Sequence, residues 1–362
     1  METLLAPTDT PAALKAAVAA AVAELSAGHP VALPTETVYG LAADALRPDA
    51  VVKIFEAKER PLFDPLIVHL PNEEWLEKVA AIPPRSRELV ARLIESFWPG
   101  PLTLVLPRRD NVPDIVSSGL PTVAVRMSAH PVFQAVCGAF GKPLAAPSAN
   151  RFGRISPTTA AHVRAELGGR IPLILDGGPT EHGVESTIVK VEGPNLRLLR
   201  AGPVTPEGLG SVWRAVREAH GERVTEIAFA EFFEKLGVSF PPTAMGGEEL
   251  LIEAPGQMLT HYAPMTPLRL LPHKLDFLPP AAGKRKLGIL AFANPPAGAH
   301  YAHVEILSRT EDLREAAATL FAKLRRLDDA GLDLIYAECV PEVGLGIAIM
   351  DRLRKAATDH VQ

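Results

Sequence analysis

Through about residue 205, short apolar runs alternate with stretches whose apolar positions recur at helical spacing. Runs at Val31–Leu33, Leu66–Leu70, Leu102–Leu106, Val123–Arg126, Leu144–Pro147, Leu173–Leu175, Ser186–Val191 and Leu196–Leu199 predict strands. They are short, apolar and bounded by turn residues. Helical patterns fall between them at Ala50–Ala57, Arg85–Phe97, Pro131–Phe140 and Pro157–Leu167, the last with Ser156 as cap and Pro157 at the first helical position. An alanine-rich stretch over residues 11–27 reads as another helix, capped by Thr10 and stopped at Gly28. Lys15 and Glu24 interrupt it and no basic segment precedes it, so it predicts neither a signal peptide nor a membrane span.

Residues 1–215 therefore predict one α/β domain. Periodicity weakens over residues 216–265, where Pro241-Pro242, Gly246-Gly247 and Ala254-Pro255-Gly256 predict a linker. That linker ends in Gln257-Met258-Leu259-Thr260-His261-Tyr262-Ala263-Pro264, a concentration of His and Tyr that suits contact with a ligand. Residues 266–362 predict a second, smaller α/β domain. Its strands are expected near Leu268–Leu271, Lys286–Ala291 and Leu334–Ala337, and its helices at Leu313–Asp329 and Gly346–Lys355. The alternation is Rossmann-like, without a phosphate-binding glycine fingerprint.

Composition narrows the function classes. The 362 residues are 47% hydrophobic and 22% charged, and the net charge of -5 disfavours a protein built to grip nucleic acid through a broad basic face. Two distant cysteines, Cys137 and Cys339, predict neither a disulfide framework nor a structural zinc site, and a reducing compartment, the cytoplasm, is expected.

The candidate chemistry gathers at predicted strand ends. Pro34-Thr35-Glu36-Thr37-Val38-Tyr39-Gly40-Leu41 follows the first strand and brings two hydroxyls, a carboxylate and a glycine to the place where open α/β sheets bind ligands. Lys58, Arg60, Arg126 and Arg200 sit at turns or strand ends in segments poor in charge. A single strand-end arginine is usually solvated, but four cations beside hydroxyl and glycine turns point to phosphate or carboxylate oxygens. Pro147-Ser148-Ala149-Asn150 with Gly153 and Ser156, and Gly183-Val184-Glu185-Ser186-Thr187, supply further small and hydroxyl-bearing walls. His69 could orient a substrate. Phosphate-binding P-loops, dinucleotide fingerprints, zinc-protease motifs and Gly-x-Ser-x-Gly elbows are all missing.

Together these segments resemble the YrdC-like family, and over the full length its two-domain threonylcarbamoyl-adenylate synthases. The resemblance runs through residues 34–41, Lys-x-Arg-Pro at 58–61, Pro-Leu-Ile-Val-His at 65–69, Trp-Pro-Gly-Pro-Leu-Thr at 98–103 and Val-Ala-Val-Arg at 123–126. It continues through Ser-Ala-Asn at 148–150, Ser-Pro-Thr at 156–158, Glu-Ser-Thr-Ile-Val at 185–189, Arg-Ala-Gly at 200–202, His-Tyr-Ala-Pro at 261–264 and residues 344–354. Two positions depart from the family pattern: Asp64 stands where Asn is usual, and Phe152 where Ser is usual.

The resemblance implies a twisted mixed-sheet catalytic domain, a linker covering its site, and the Rossmann-like domain. It implies a nucleotidyltransferase that joins L-threonine, bicarbonate and ATP into threonylcarbamoyl-AMP and pyrophosphate. A downstream transferase complex would use that product to modify tRNA next to the anticodon. Carried onto this chain, the threonine site would comprise Thr37, His69, Arg126, Ala146 and Ser186, with Arg126 on the carboxylate. The ATP site would comprise Lys58, Arg60, Asp64, Thr122, Ser148, Ser156, Arg200 and Tyr262, with Mg²⁺ held mainly by phosphates. No covalent nucleophile is expected; positioning and charge stabilisation would carry the reaction. One alternative is an RNA-binding or ribosome-associated module with a basic groove, which the net negative charge and only 6% aromatic residues disfavour. Another is a carbamoyl transferase acting on a different acceptor, whose relatives are longer and carry zinc-finger cysteines absent here.

Overall fold

The computed structural model describes residues 2–222, 224–225, 231, 234, 236, 252–258, 261–271, 285–295 and 300–357. In chain order, the first unit comprises β1 (Leu4–Pro7), α1 (Pro11–Ser26), β2 (Val31–Leu33), β3 (Gly40–Asp44), α2 (Pro48–Lys58), β4 (Ile67–His69), α3 (Leu76–Val79), α4 (Arg87–Phe97), β5 (Leu102–Pro107), α5 (Asp114–Ser117) and β6 (Thr122–Arg126). It continues with α6 (Pro131–Phe140), β7 (Leu144–Ala145), α7 (Ala160–Leu167), β8 (Leu173–Asp176), β9 (Thr187–Glu192), β10 (Asn195–Arg200) and α8 (Pro206–Ala219). The second unit holds β11 (Leu268–Leu271), β12 (Leu287–Ala291), β13 (His303–Ile306), α9 (Leu313–Asp328), β14 (Leu334–Glu338) and α10 (Leu345–Ala357).

The α/β expectation holds, with two sheets. The first has ten strands of mixed direction in the order β1-β8-β2-β3-β7-β4-β6-β5-β9-β10, and the second has four in the order β11-β14-β12-β13, all parallel. Strand alternation sorts side chains onto two faces. In β6, Val123 and Val125 enter the main core beneath α2 and α4, whereas Ala124 faces a smaller cluster with Ile67, Val105, Ile188, Leu199 and Ala254. Ala254 lies on that second face, from a segment that crosses the sheet far from β6 in sequence.

Local sequence explains the element boundaries. Thr10 accepts from the Ala13 amide and Pro11 opens α1, as the pattern predicts. Helix α7 starts later than expected: Thr159, accepting from the His162 amide, is its cap, and Ser156 is buried elsewhere. The proline at position 157 thus stands in the approach to the helix rather than at its first position.

The two units share an apolar core. Val38, Ile155 and Val184 of the first pack with Tyr262, Phe321, Leu320 and Phe292. The two units meet closely at Gly183, where an added Cβ would stand 2.5 Å from the carbonyl oxygens of Ala317 and Ala318. Among the described residues no helix is long and apolar enough to cross a membrane.

Candidate active site

Sheet topology brings His69 and Arg126 side by side. Strands β4 and β6 run parallel with His69 opposite Arg126, and both end at the same edge. Strand β5 lies antiparallel to β6 and parallel to β9, so Leu102 and Thr187 start where β6 finishes. A cleft opens at that edge, where open α/β sheets bind ligands. Its walls come from Thr35, Thr37, Val38, Pro147, Ser148, Glu185, Ser186, Arg200 and the segment at Pro255, Gly256, His261 and Tyr262.

Arg126 organises one end. It is buried, and its Nη2 lies 2.5 Å from Glu36 Oε1. Nη1 donates to Thr37 Oγ1 at 3.1 Å and Nε to the Gly100 carbonyl at 3.1 Å. A guanidinium has five N–H donors, so one remains on each terminal nitrogen, the number a bidentate carboxylate needs. Ser128 Oγ donates to the other Glu36 oxygen at 2.5 Å. Burial alone would raise the Glu36 carboxyl; the Arg126 charge and the Ser128 hydroxyl overturn that and bring it down to about 2. Beside it, burial and the Arg126 charge pull His69 down to about 3, so its ring is neutral. His69 Nδ1 has no hydrogen-bond partner among the described residues, and His69 lines the cleft.

The other end is richer in cations. Arg200 donates from Nε and Nη2 to the Ser186 carbonyl and hydroxyl, each at 3.0 Å, and from Nη1 to the Pro255 carbonyl at 3.2 Å. Ser186 Oγ also meets Thr103 Oγ1 at 2.8 Å. Arg60 Nη2 stands 2.9 Å from Asp64 Oδ2 and donates to the Pro65 carbonyl. Burial raises the Asp64 carboxyl while Arg60 and Lys58 work against it. Lys58, the last residue of α2, turns inward where Glu59 takes a left-handed φ of 54°. Its Nζ donates to the Ser148 and Asn150 carbonyls, both at 2.5 Å. Burial, then the Arg60 charge, holds Lys58 well below the usual lysine range.

Of the residues expected from the sequence, Thr37, His69, Arg126, Ala146, Ser186, Arg60, Ser148, Arg200 and Tyr262 all line this one cleft. Lys58 and Asp64 stand immediately behind that lining. Ser156 bonds to Glu185, which does line it. Thr122 is the outlier: it opens β6 beside Pro107, four residues from Arg126, or about 13 Å along an extended strand. The site also contains residues that the sequence placed near it without assigning them to threonine or ATP, and one, Ser128, that it did not single out. Glu36, Ser128 and Glu185 are buried carboxylates or their partners, and His261 has its Nδ1 unpartnered among the described residues. Phe152, the departure noted in sequence, packs edge-on against His261 at 5.9 Å.

Comparison with known proteins agrees with this geometry. The Sua5/YciO/YrdC family model, described as "Telomere recombination", matches residues 23–202, and that of the "Threonylcarbamoyl-AMP synthase, C-terminal domain" matches residues 222–358. The threonylcarbamoyl-AMP synthase of Bacillus subtilis is 39% identical over 95% of this chain and 94% of its own length. The chain belongs to the threonylcarbamoyl-AMP synthase family. The resemblance read from the sequence motifs is thereby borne out, and the chain is a member of an enzyme family for which ATP is a substrate. The synthase of Pyrococcus abyssi is also 39% identical, covering 91% of each chain. Its solved structure, "P. abyssi Sua5 complexed with L-threonine", superposes with a TM-score of 0.78 at 35% identity, covering 99% of this chain and 98% of the other.

Proposed function

We propose that this chain condenses L-threonine, bicarbonate and ATP into threonylcarbamoyl-AMP, pyrophosphate and water. The observation that carries the proposal is Arg126: a buried guanidinium at a strand end, oriented by Glu36, Thr37 and Gly100, with two N–H donors left at the cleft. Those donors take the threonine carboxylate. Neutral His69 accepts from the threonine amine or hydroxyl, with Thr37 and Ser186 as the nearest hydroxyl partners and Ala146 as a small wall. The amine attacks the bicarbonate carbon, water leaves, and an oxygen of the resulting carbamate attacks the α-phosphorus of ATP with loss of pyrophosphate. The cleft need supply no covalent nucleophile: holding the carbamate and the phosphate in line is the larger part of the task, and intramolecular reactions show effective molarities of about 10⁵ M or more.

Arg60, Arg200 and Lys58 place positive charge at the nucleotide end, with Ser148, Ser156 and Tyr262 beside it. The donor set also fits a phosphate-bound Mg²⁺. Among the described residues no cluster of three or more His, Cys, Asp or Glu side chains could hold a metal by itself. Glu36 and Glu185 are committed to arginines, and Asp64 Oδ2 faces Arg60, while Asp64 Oδ1 has no hydrogen-bond partner among the described residues. Mg²⁺ held by triphosphate oxygens and that one carboxylate would neutralise the departing pyrophosphate. Thr122 lies too far along β6 to meet the same atoms as Arg126, and suits only an extended part of the nucleotide.

The burial of the cations separates this reading from an RNA-binding one. Arg60, Arg126 and Arg200 are each at most 7% exposed, and phosphate backbones are gripped by accessible charge. The unstable product implies a transferase that consumes it, here one that acts on tRNA in the cytoplasm. Pyrophosphate release from ATP in the presence of Mg²⁺ tests the proposal: release must require both L-threonine and bicarbonate, and release indifferent to threonine would overturn it.

A further inference from the structure

Helix α10 is the last helix of the second unit, yet two of its side chains bond to residues that line the cleft. Arg352 is 1% exposed, one of the largest fully buried side chains among the described residues. Its Nε donates to Glu185 Oε2 at 2.9 Å and its Nη1 to Asp351 Oδ2 at 2.7 Å. The guanidinium also lies 5.2 Å from the centroid of the Tyr262 ring. One turn further on, Lys355 Nζ reaches Asp351 Oδ1 and the Gly256 carbonyl, both at 2.7 Å. Glu185, Tyr262 and Gly256 all line the cleft, while Arg352 does not.

The contacts interlock. Glu185 accepts from Ser156 of the first unit on one oxygen and from Arg352 of the second on the other. Tyr262 has a left-handed φ of 66°, and its hydroxyl has no hydrogen-bond partner among the described residues. Its ring packs against Arg352 and against Phe321, whose centroid is 5.7 Å away. A non-glycine residue in that backbone region persists only where its surroundings fix it. The Arg352 guanidinium and Phe321, both from the second unit, contribute to that fixing, beside the His261 ring at 4.1 Å and the Ala263 amide, which donates to the Gly153 carbonyl. A planar guanidinium can hold a carboxylate at its edge while covering an aromatic face. An ammonium cannot do both.

We propose that Arg352 is a positioning residue for the nucleotide half of the reaction: it fixes Glu185 and Tyr262 in the cleft wall, so the second unit completes the site. The inference rests on the threonylcarbamoyl-AMP reading, and it is selective. Among the described contacts, Arg126, Glu36, Thr37 and His69 at the threonine end show no hydrogen bond or ion pair to α10, whereas Glu185 and Gly256 do.

The test uses the full chain with Arg352→Gln, Arg352→Lys, Glu185→Gln and the double variant Arg352→Gln/Glu185→Gln. Calorimetry gives separate affinities for L-threonine and a non-hydrolysable ATP analogue, and pyrophosphate release gives KM and kcat. Arg352→Gln is expected to weaken the ATP analogue at least tenfold and raise KM for ATP in step, with threonine affinity kept within twofold. Arg352→Lys should recover less than half of the loss, and the double variant should be no worse than the weaker single. Equal losses for both ligands, no loss, or full recovery by lysine would each overturn the proposal, as would additive losses in the double variant. Should Arg352→Gln fail to fold, Arg352→Lys and Glu185→Gln decide by the same two affinities. Failure of the functional reading looks different: the wild-type protein would release no threonine-dependent pyrophosphate, whatever the variants do to nucleotide affinity.

Discussion

Replacing Glu36 with Gln removes the charge that Arg126 faces while keeping the shape. Both partners are buried, with side chains 4% and 5% exposed, so solvent screening does little to weaken the pair. The Glu36 carboxyl falls from an ordinary 4.5 to about 2 in the folded protein. A fall of about 2.5, at about 1.36 kcal/mol for each tenfold in proton affinity, is about 3 kcal/mol of stability. That agrees with the roughly 3–5 kcal/mol lost when one partner of a buried pair is deleted. Because the folded-state value is depressed, the contribution is complete above about pH 5 and is lost as pH falls from 4.5 toward 2. The three tryptophans, Trp75, Trp98 and Trp213, all belong to the first unit, so urea unfolding followed by their fluorescence reports on the fold around Glu36. Wild type should exceed Glu36→Gln by about 3 kcal/mol at pH 7 and by roughly half that near pH 3. A difference under about 1 kcal/mol at pH 7, or one that stays constant down to pH 3, would refute the reasoning.

Other outcomes follow from the same geometry. Arg126→Lys keeps a positive charge but loses the paired N–H groups, so threonine affinity by calorimetry should fall by about 2–4 kcal/mol, roughly 30- to 1,000-fold; a change below threefold contradicts carboxylate binding there. His69 titrates at about 3, so protonating it contributes no change in threonine affinity between pH 5 and 8. An inflection near pH 6–7 that His69→Gln abolishes would show the ring to be charged. An added Cβ at Gly256 would stand 2.6 Å from the Tyr262 hydroxyl, at a φ of +81°, so Gly256→Ala should cost about 1–2 kcal/mol in thermal unfolding and also slow pyrophosphate release. Gly178→Ala, at a φ of +80° with open space around its Cβ, should lose stability alone; equal turnover losses in both variants would count against crowding of Tyr262.

Much of the site was legible in the sequence because its residues sit at the ends of apolar strands, which pattern alone can locate. His69 and Arg126 each close such a run, and parallel pairing of β4 with β6 makes them neighbours. The Glu36 side chain was in view within its motif, but its role depends on Arg126, ninety residues away, and no local spacing encodes that partner. Glu185 is similar, since its second partner comes from the other unit. Strand β3 was hidden because Gly-Leu-Ala-Ala-Asp lacks β-branched residues and is held by pairing with β2 and β7. Strands β1 and β13 stand at the edges of their sheets and bury no residue fully, so neither needs the apolar run that marks the inner strands. Helix α8 carries Gly208 and Gly210 in its first turns, which mask its helical spacing. The displaced start of α7 is instead a competition between caps, in which Thr159 takes the helix while Ser156 bonds to Glu185.

The most direct measurement is identification of the product by mass spectrometry after incubating the protein with ATP, Mg²⁺, L-threonine and ¹³C-bicarbonate. The account predicts threonylcarbamoyl-AMP carrying one ¹³C, formed one for one with pyrophosphate and abolished by Arg126→Ala. Pyrophosphate released without a labelled adenylate, or a labelled adenylate formed without threonine, would contradict it.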